Sequence, residues 1–115
     1  TYQVRAKEEV EAQKLLEDAR LLASVGCFAL VLEKVPAALA KRVAEEIPIP
    51  VIGIGAGPDV DGQVLVLHDM VGISHEFKPR FLRQYMQLFD AMQEAIGQYV
   101  QDVRSKDFPN SKEQY

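Results

Sequence analysis

One carboxylate stands out by its position. Glu33 closes the apolar run Phe28-Ala29-Leu30-Val31-Leu32. Continuous hydrophobicity of this length reads as a strand buried on both faces, as in a parallel sheet. A residue ending such a strand lies at the carboxyl edge, where barrels and open α/β folds place their chemistry. Side chains alternate along a strand, so Ala29, Val31 and Glu33 share one face and Phe28, Leu30 and Leu32 the other. An apolar setting disfavours the charged form of a carboxylate, which suits Glu33 to take up a proton near neutral pH. The bland alternative for Glu33 is a surface ion pair with Lys34 or Arg42.

The other chemistry-bearing residues are weaker candidates. His68 and His75 are the only histidines and Cys27 the only cysteine. That set makes neither a zinc site nor a disulfide. Cys27 reads as a small core residue and His68 as a hydrogen-bonded structural one. Gly55-x-Gly57 falls short of a dinucleotide fingerprint, because Pro58 and Asp59 stand where a helix should open. Asp59-x-Asp61-Gly62 starts like a calcium loop but lacks the later glutamate, which leaves turn chemistry.

Helices and strands must hold these residues in place. Glu8 to Ala23 has Leu15, Leu16, Ala19, Leu22 and Ala23 on one helical face, with Gly26 as terminator. Pro36 opens a second helix whose buried stripe is Leu39, Ala40, Val43, Ala44 and Ile47. A second strand follows in Pro50-Val51-Ile52-Gly53-Ile54, where the glycine permits a close approach. Residues 55–62 are loop. A third strand is expected over Gln63-Val64-Leu65-Val66-Leu67-His68-Asp69, with Val64, Val66 and His68 on one face. Pro79 is expected to open a terminal helix with Phe81, Tyr85, Leu88, Phe89, Met92, Ile96, Tyr99 and Val103 along one apolar side. The tail from Ser105 reads as irregular.

Length and charge narrow the classes. The 115 residues carry 13 basic and 17 acidic side chains, a net charge of −4. Such a balance argues against a nucleic-acid partner. No apolar run is long enough to span a membrane. The opening Thr1-Tyr2-Gln3-Val4-Arg5-Ala6-Lys7 shows no signal peptide, so a cytoplasmic location is expected. Strands apolar on both faces need cover on both sides. With no initiator Met, the chain is expected to be a single partial domain, residues 1–115, of a larger barrel.

Three segments in order carry a specific resemblance. Leu30-Val31-Leu32-Glu33-Lys34-Val35-Pro36, Ile49-Pro50-Val51-Ile52-Gly53-Ile54-Gly55-Ala56-Gly57 and Asp61-Gly62-Gln63-Val64-Leu65-Val66-Leu67-His68-Asp69 are similar to the ketopantoate hydroxymethyltransferase family. Lys78-Pro79-Arg80-Phe81 and Phe108-Pro109 extend the likeness over essentially the whole chain. The resemblance implies an α/β fold, the carboxyl-terminal part (about strands 6–8) of a (β/α)8 TIM barrel of the phosphoenolpyruvate/pyruvate type. It implies transfer of a hydroxymethyl group from 5,10-methylenetetrahydrofolate to 2-oxoisovalerate, giving ketopantoate for pantothenate biosynthesis. Glu33 would be the general base, removing the C3 proton. Ile54, Val64 and Val66 would line the pocket around the substrate's methyl groups. Mg2+ would chelate the keto acid through ligands outside this chain.

The resemblance further implies that the amino-terminal half of the barrel is a required partner, so the chain alone would be inactive. It implies a homo-oligomer, a decamer of stacked rings. Arg5-Ala6 stands where the family usually has Gln-Gly, Lys34 where a cysteine is frequent, and Ser74-His75-Glu76-Phe77 where a Gly-Gly-His run occurs. Two rival readings are another metal-enolate lyase of the same superfamily and a non-catalytic half-barrel that binds a partner.

Overall fold

A computed structural model describes residues 6, 8–76 and 78–115. Expectations placed on residues 1–5, Lys7 and Phe77, including the Arg5 difference from the family, lie outside the described residues. The chain forms two compact units, Thr1–Leu65 and Val66–Tyr115.

The first unit is mixed α/β with a small parallel sheet. Helix α1 (Glu9–Ser24) leads to strand β1 (Leu30–Glu33), helix α2 (Ala37–Glu46), strand β2 (Val51–Ile54) and the short β3 (Gly62–Gln63). The strands lie in the order β1-β2-β3, both pairs parallel. α1 ends as expected, with Gly26 at φ 98° and the Cys27 N–H donating to the Leu22 carbonyl. Pro36 caps α2, since its missing N–H and fixed φ suit a helix start.

Strand register divides the sheet into two unlike faces. Leu30 pairs with Val51 and Leu32 with Gly53, and this face is covered. Leu16 and Ala19 of α1, Leu39, Ala40 and Val43 of α2, and Leu32 and Val51 of the sheet form the core. Leu16, Val43 and Val51 are its largest fully enclosed side chains. Full burial of such a side chain contributes roughly 1.5–3 kcal/mol. Val60 folds over Gly53 from the loop, where an added Cβ would lie 3.0 Å from its Cγ2. The close approach that this glycine permits is therefore used by the chain itself. Val31 and Glu33 point to the other face, and Val31 is 60% exposed there.

Burial on both faces of the first strand is not what the chain shows. Only one face is covered by α1 and α2, and Phe28, 90% exposed, precedes the strand rather than joining it. Cys27 is half-buried in the approach to β1.

The parallel connection from β2 to β3 contains no helix. Residues 55–61 make it as a loop, whereas such crossovers usually need a dozen or more residues. Asp61 closes the return. Its carboxylate accepts from the Val51 N–H at 2.7 Å, and its own N–H donates to the Val51 carbonyl at 2.9 Å. The Asp61 carboxylate thus serves the strand pairing with Val51 rather than the local turn expected of the Asp59-x-Asp61-Gly62 segment.

The third strand is much shorter than expected. It ends at Gln63, with one further ladder bond from the Val64 N–H to the Gly53 carbonyl. β2 leaves the ladder after Ile54, with Gly55 at φ 64°, so it offers no ladder beyond Val64.

In the second unit, Val66 instead caps a one-turn helix α3 (Leu67–Met70), which contains His68 and Asp69. The terminal helix α4 runs from Leu88 to Ser105, starting well after Pro79. The Tyr85, Leu88 and Phe89 N–H groups donate to the carbonyls of Met70, Val71 and Gly72. Those donors are thereby withheld from the i−4 carbonyls that a helix continuing from Pro79 would need. Pro79 does start a single turn, closed by the Leu82 N–H on its carbonyl.

Candidate active site

Glu33 is the last residue of β1, and its register partner in β2 is Ile54. Both belong to the sheet face left open by α1 and α2, together with Val31 and Ile52. The backbone on either side of Glu33 is fixed. The Leu30 N–H donates to the Pro50 carbonyl and the Lys34 N–H to the Ile54 carbonyl, both at 2.9 Å. Arg42, one of the surface partners considered for Glu33, is bonded to Glu46 at 3.2 Å.

Among the described residues this face carries one carboxylate, Glu33, which is exposed rather than enclosed in the apolar setting expected from the sequence, beside Val31, Ile52 and Ile54. Gly62 pairs with Ile52 on the same face, where an added Cβ would lie 2.8 Å from Ile52 Cδ1. Val64, two residues further on, falls on that side by alternation and is 45% exposed. Glu33, Ile54 and Val64 are thus brought to one edge of one sheet. Val66 is in the second unit, at the start of α3, and is also exposed. Ile52 belongs with this group although sequence reasoning did not name it among the pocket residues. The signal was available, because Ile52 and Ile54 share parity in the strand.

A cavity of about 350 Å3 lies elsewhere in the first unit, among Leu15, Ala19, Leu22, Leu30 and Leu32. Leu30 and Leu32 are on the opposite face from Glu33, so this space is not part of the candidate site. Among the described residues, no group of three or more His, Cys, Asp or Glu side chains is placed to hold a metal ion. Among the described residues of the β1 and β2 strands the open face offers one carboxylate, Glu33, whereas Mg2+ demands six oxygens in near-ideal octahedral order. The residues present here do not by themselves fit that ion.

A family model described as ketopantoate hydroxymethyltransferase matches residues 1–111. The chain belongs to this family. It is 67% identical over all 115 residues to a 3-methyl-2-oxobutanoate hydroxymethyltransferase from Flavobacterium johnsoniae. Proteins of the same name from Parabacteroides distasonis and Bacteroides fragilis are 65% and 64% identical over the same span. In each case the whole chain is covered but only 42% of the relative's length. The ketopantoate hydroxymethyltransferase match leaves the reading as a different metal-enolate lyase without support.

Proposed function

We propose that this chain is the base-bearing portion of an enzyme that transfers a hydroxymethyl group from 5,10-methylenetetrahydrofolate to 2-oxoisovalerate, forming ketopantoate. One observation supports the reading: in a chain of this family, Glu33 ends a parallel strand beside Ile54 on the sheet face that α1 and α2 leave open. The β1, β2 and β3 strands stand for about strands 6–8 of a (β/α)8 barrel of the phosphoenolpyruvate/pyruvate type, and residues 1–115 form a single partial domain of it. The remaining strands close over the open face and turn it into the barrel's interior.

The chemistry assigned to these residues is proton abstraction and shape recognition. The Glu33 carboxylate takes the C3 proton of the keto acid, and the pair of electrons left behind forms the enolate. C3 then bonds to the folate's one-carbon unit as the bonds from that carbon to the two folate nitrogens break, water supplying the hydroxyl oxygen and tetrahydrofolate leaving. Ile54 and Val64 pack on the two methyl groups at C3 and so favour a branched keto acid. Mg2+ and the folate are held by residues outside this chain. The complete protein is cytoplasmic and a homo-oligomer, a decamer in this reading; among the described residues no helix is long and apolar enough to cross a membrane.

The test uses the full-length protein and residues 1–115 separately, each given 2-oxoisovalerate, 5,10-methylenetetrahydrofolate and Mg2+. Ketopantoate is expected from the full-length protein and not from the 115-residue chain. Failure of the full-length protein would refute the activity, and turnover by the short chain would refute the partial barrel.

A further inference from the structure

Between the end of β1 at Glu33 and the start of α2 at Ala37 stand only Lys34, Val35 and Pro36. Two of these have little freedom. The ring of Pro36 fixes its φ, here −53°. Val35 precedes a proline, which disfavours the helical region, and its side chain is buried in the core. The change of direction falls on Lys34, which stands at φ 54° in the left-handed region. A side chain bearing a Cβ is strained there. The Lys34 N–H is meanwhile fixed on the Ile54 carbonyl at 2.9 Å. Non-glycine residues held in sparsely populated backbone regions cluster where a neighbouring group must be placed accurately.

We infer that the left-handed backbone of Lys34 positions Glu33, holding the strand end so that the carboxylate stays over the open face beside Ile54. This rests on the assignment of Glu33 as the base. The positioning comes from the backbone, so among variants that all remove the lysine side chain the order follows tolerance of positive φ. Glycine and asparagine accept that conformation, alanine less readily, and a β-branched residue worst.

The experiment compares K34G, K34N, K34A, K34V and E33Q in the full-length protein, following exchange of the C3 proton of 2-oxoisovalerate in heavy water by NMR. K34V is expected to exchange at least about tenfold slower than K34G and K34N, since small misplacements of a reacting group cost up to about 100-fold. The loss should fall on kcat, with KM for the keto acid changed less than about twofold. Should K34V not fold, K34N against K34A decides, both being small and uncharged, with K34N expected to be faster. Exchange by folded K34V as fast as by K34G and K34N, or equal rates in K34N and K34A, would overturn the inference. An E33Q protein that still exchanges would defeat the base assignment itself. An inactive E33Q beside an intact K34V would defeat only the positioning role.

Discussion

Ala6 and Gly57 show how single backbone angles constrain this chain. Ala6 is buried at φ 55°, and the family resemblance implies a glycine there. Relief of the left-handed strain outweighs the extra freedom that glycine gives the unfolded chain, so A6G should stabilise by roughly 0.5–1 kcal/mol. Gly57, at φ 81°, presses against Ala37 at the start of α2, where an added Cβ would overlap the alanine Cβ. G57A therefore combines backbone strain with overpacking and should destabilise by about 2–4 kcal/mol. Urea denaturation of the two variants beside the parent checks both signs. At this scale the sequence was informative wherever geometry follows from alternation, as for Glu33 and Ile54 sharing a face. It was silent on Lys34, because a lysine does not announce positive φ. Only the short link to Pro36 hints that the turn must be made there.

The elements hold together through one enclosed apolar layer and a charged clasp. Leu16 of α1 is fully buried while Val10 of the same helix is 81% exposed. L16A should cost about 2–5 kcal/mol, and V10A less than about 0.5 kcal/mol. Thermal melts that fail to separate the two would contradict the packing of α1 on the sheet. The clasp joins α1 to α2, with Arg20 and Arg42 both on Glu46. The hydrogen bond from Arg20, aided by Arg42, holds the Glu46 carboxyl below its ordinary value of 4.5. A lowered folded-state pKa contributes stability that is complete above the unfolded value and disappears as pH falls through the folded one. Stability should therefore decline below about pH 4.5, and E46Q should reduce that part of the decline, as read by denaturation at several pH values. Helices α1 and α2 were legible from their stripes and stops. The third strand and the start of α4 were not, because each depends on a distant partner. Val64-Leu65-Val66-Leu67 has strand composition, but β2 offers no ladder that far. Pro79 can open a helix, but the Met70–Gly72 carbonyls bind the donors that α4 would have needed to begin earlier.

At the scale of the molecule, the chain spans 42% of the length of its relatives, and α1 and α2 leave one face of its sheet open. Val31, Glu33, Ile52, Ile54 and Val64 form a surface that the proposed barrel would enclose. The isolated 115-residue chain should bind a dye specific for exposed apolar surface and self-associate, whereas the full-length protein should do neither. Dye fluorescence and sedimentation read these outcomes, and a monomeric short chain that ignores the dye would count against a face built for enclosure. The central claim is that Glu33 removes a proton from carbon, and isotope exchange reads that step without the folate. Full-length protein incubated with 2-oxoisovalerate and Mg2+ in heavy water should replace the C3 proton with deuterium, and E33Q should slow this by about 100-fold or more. Exchange by E33Q at the parent's rate would contradict the account.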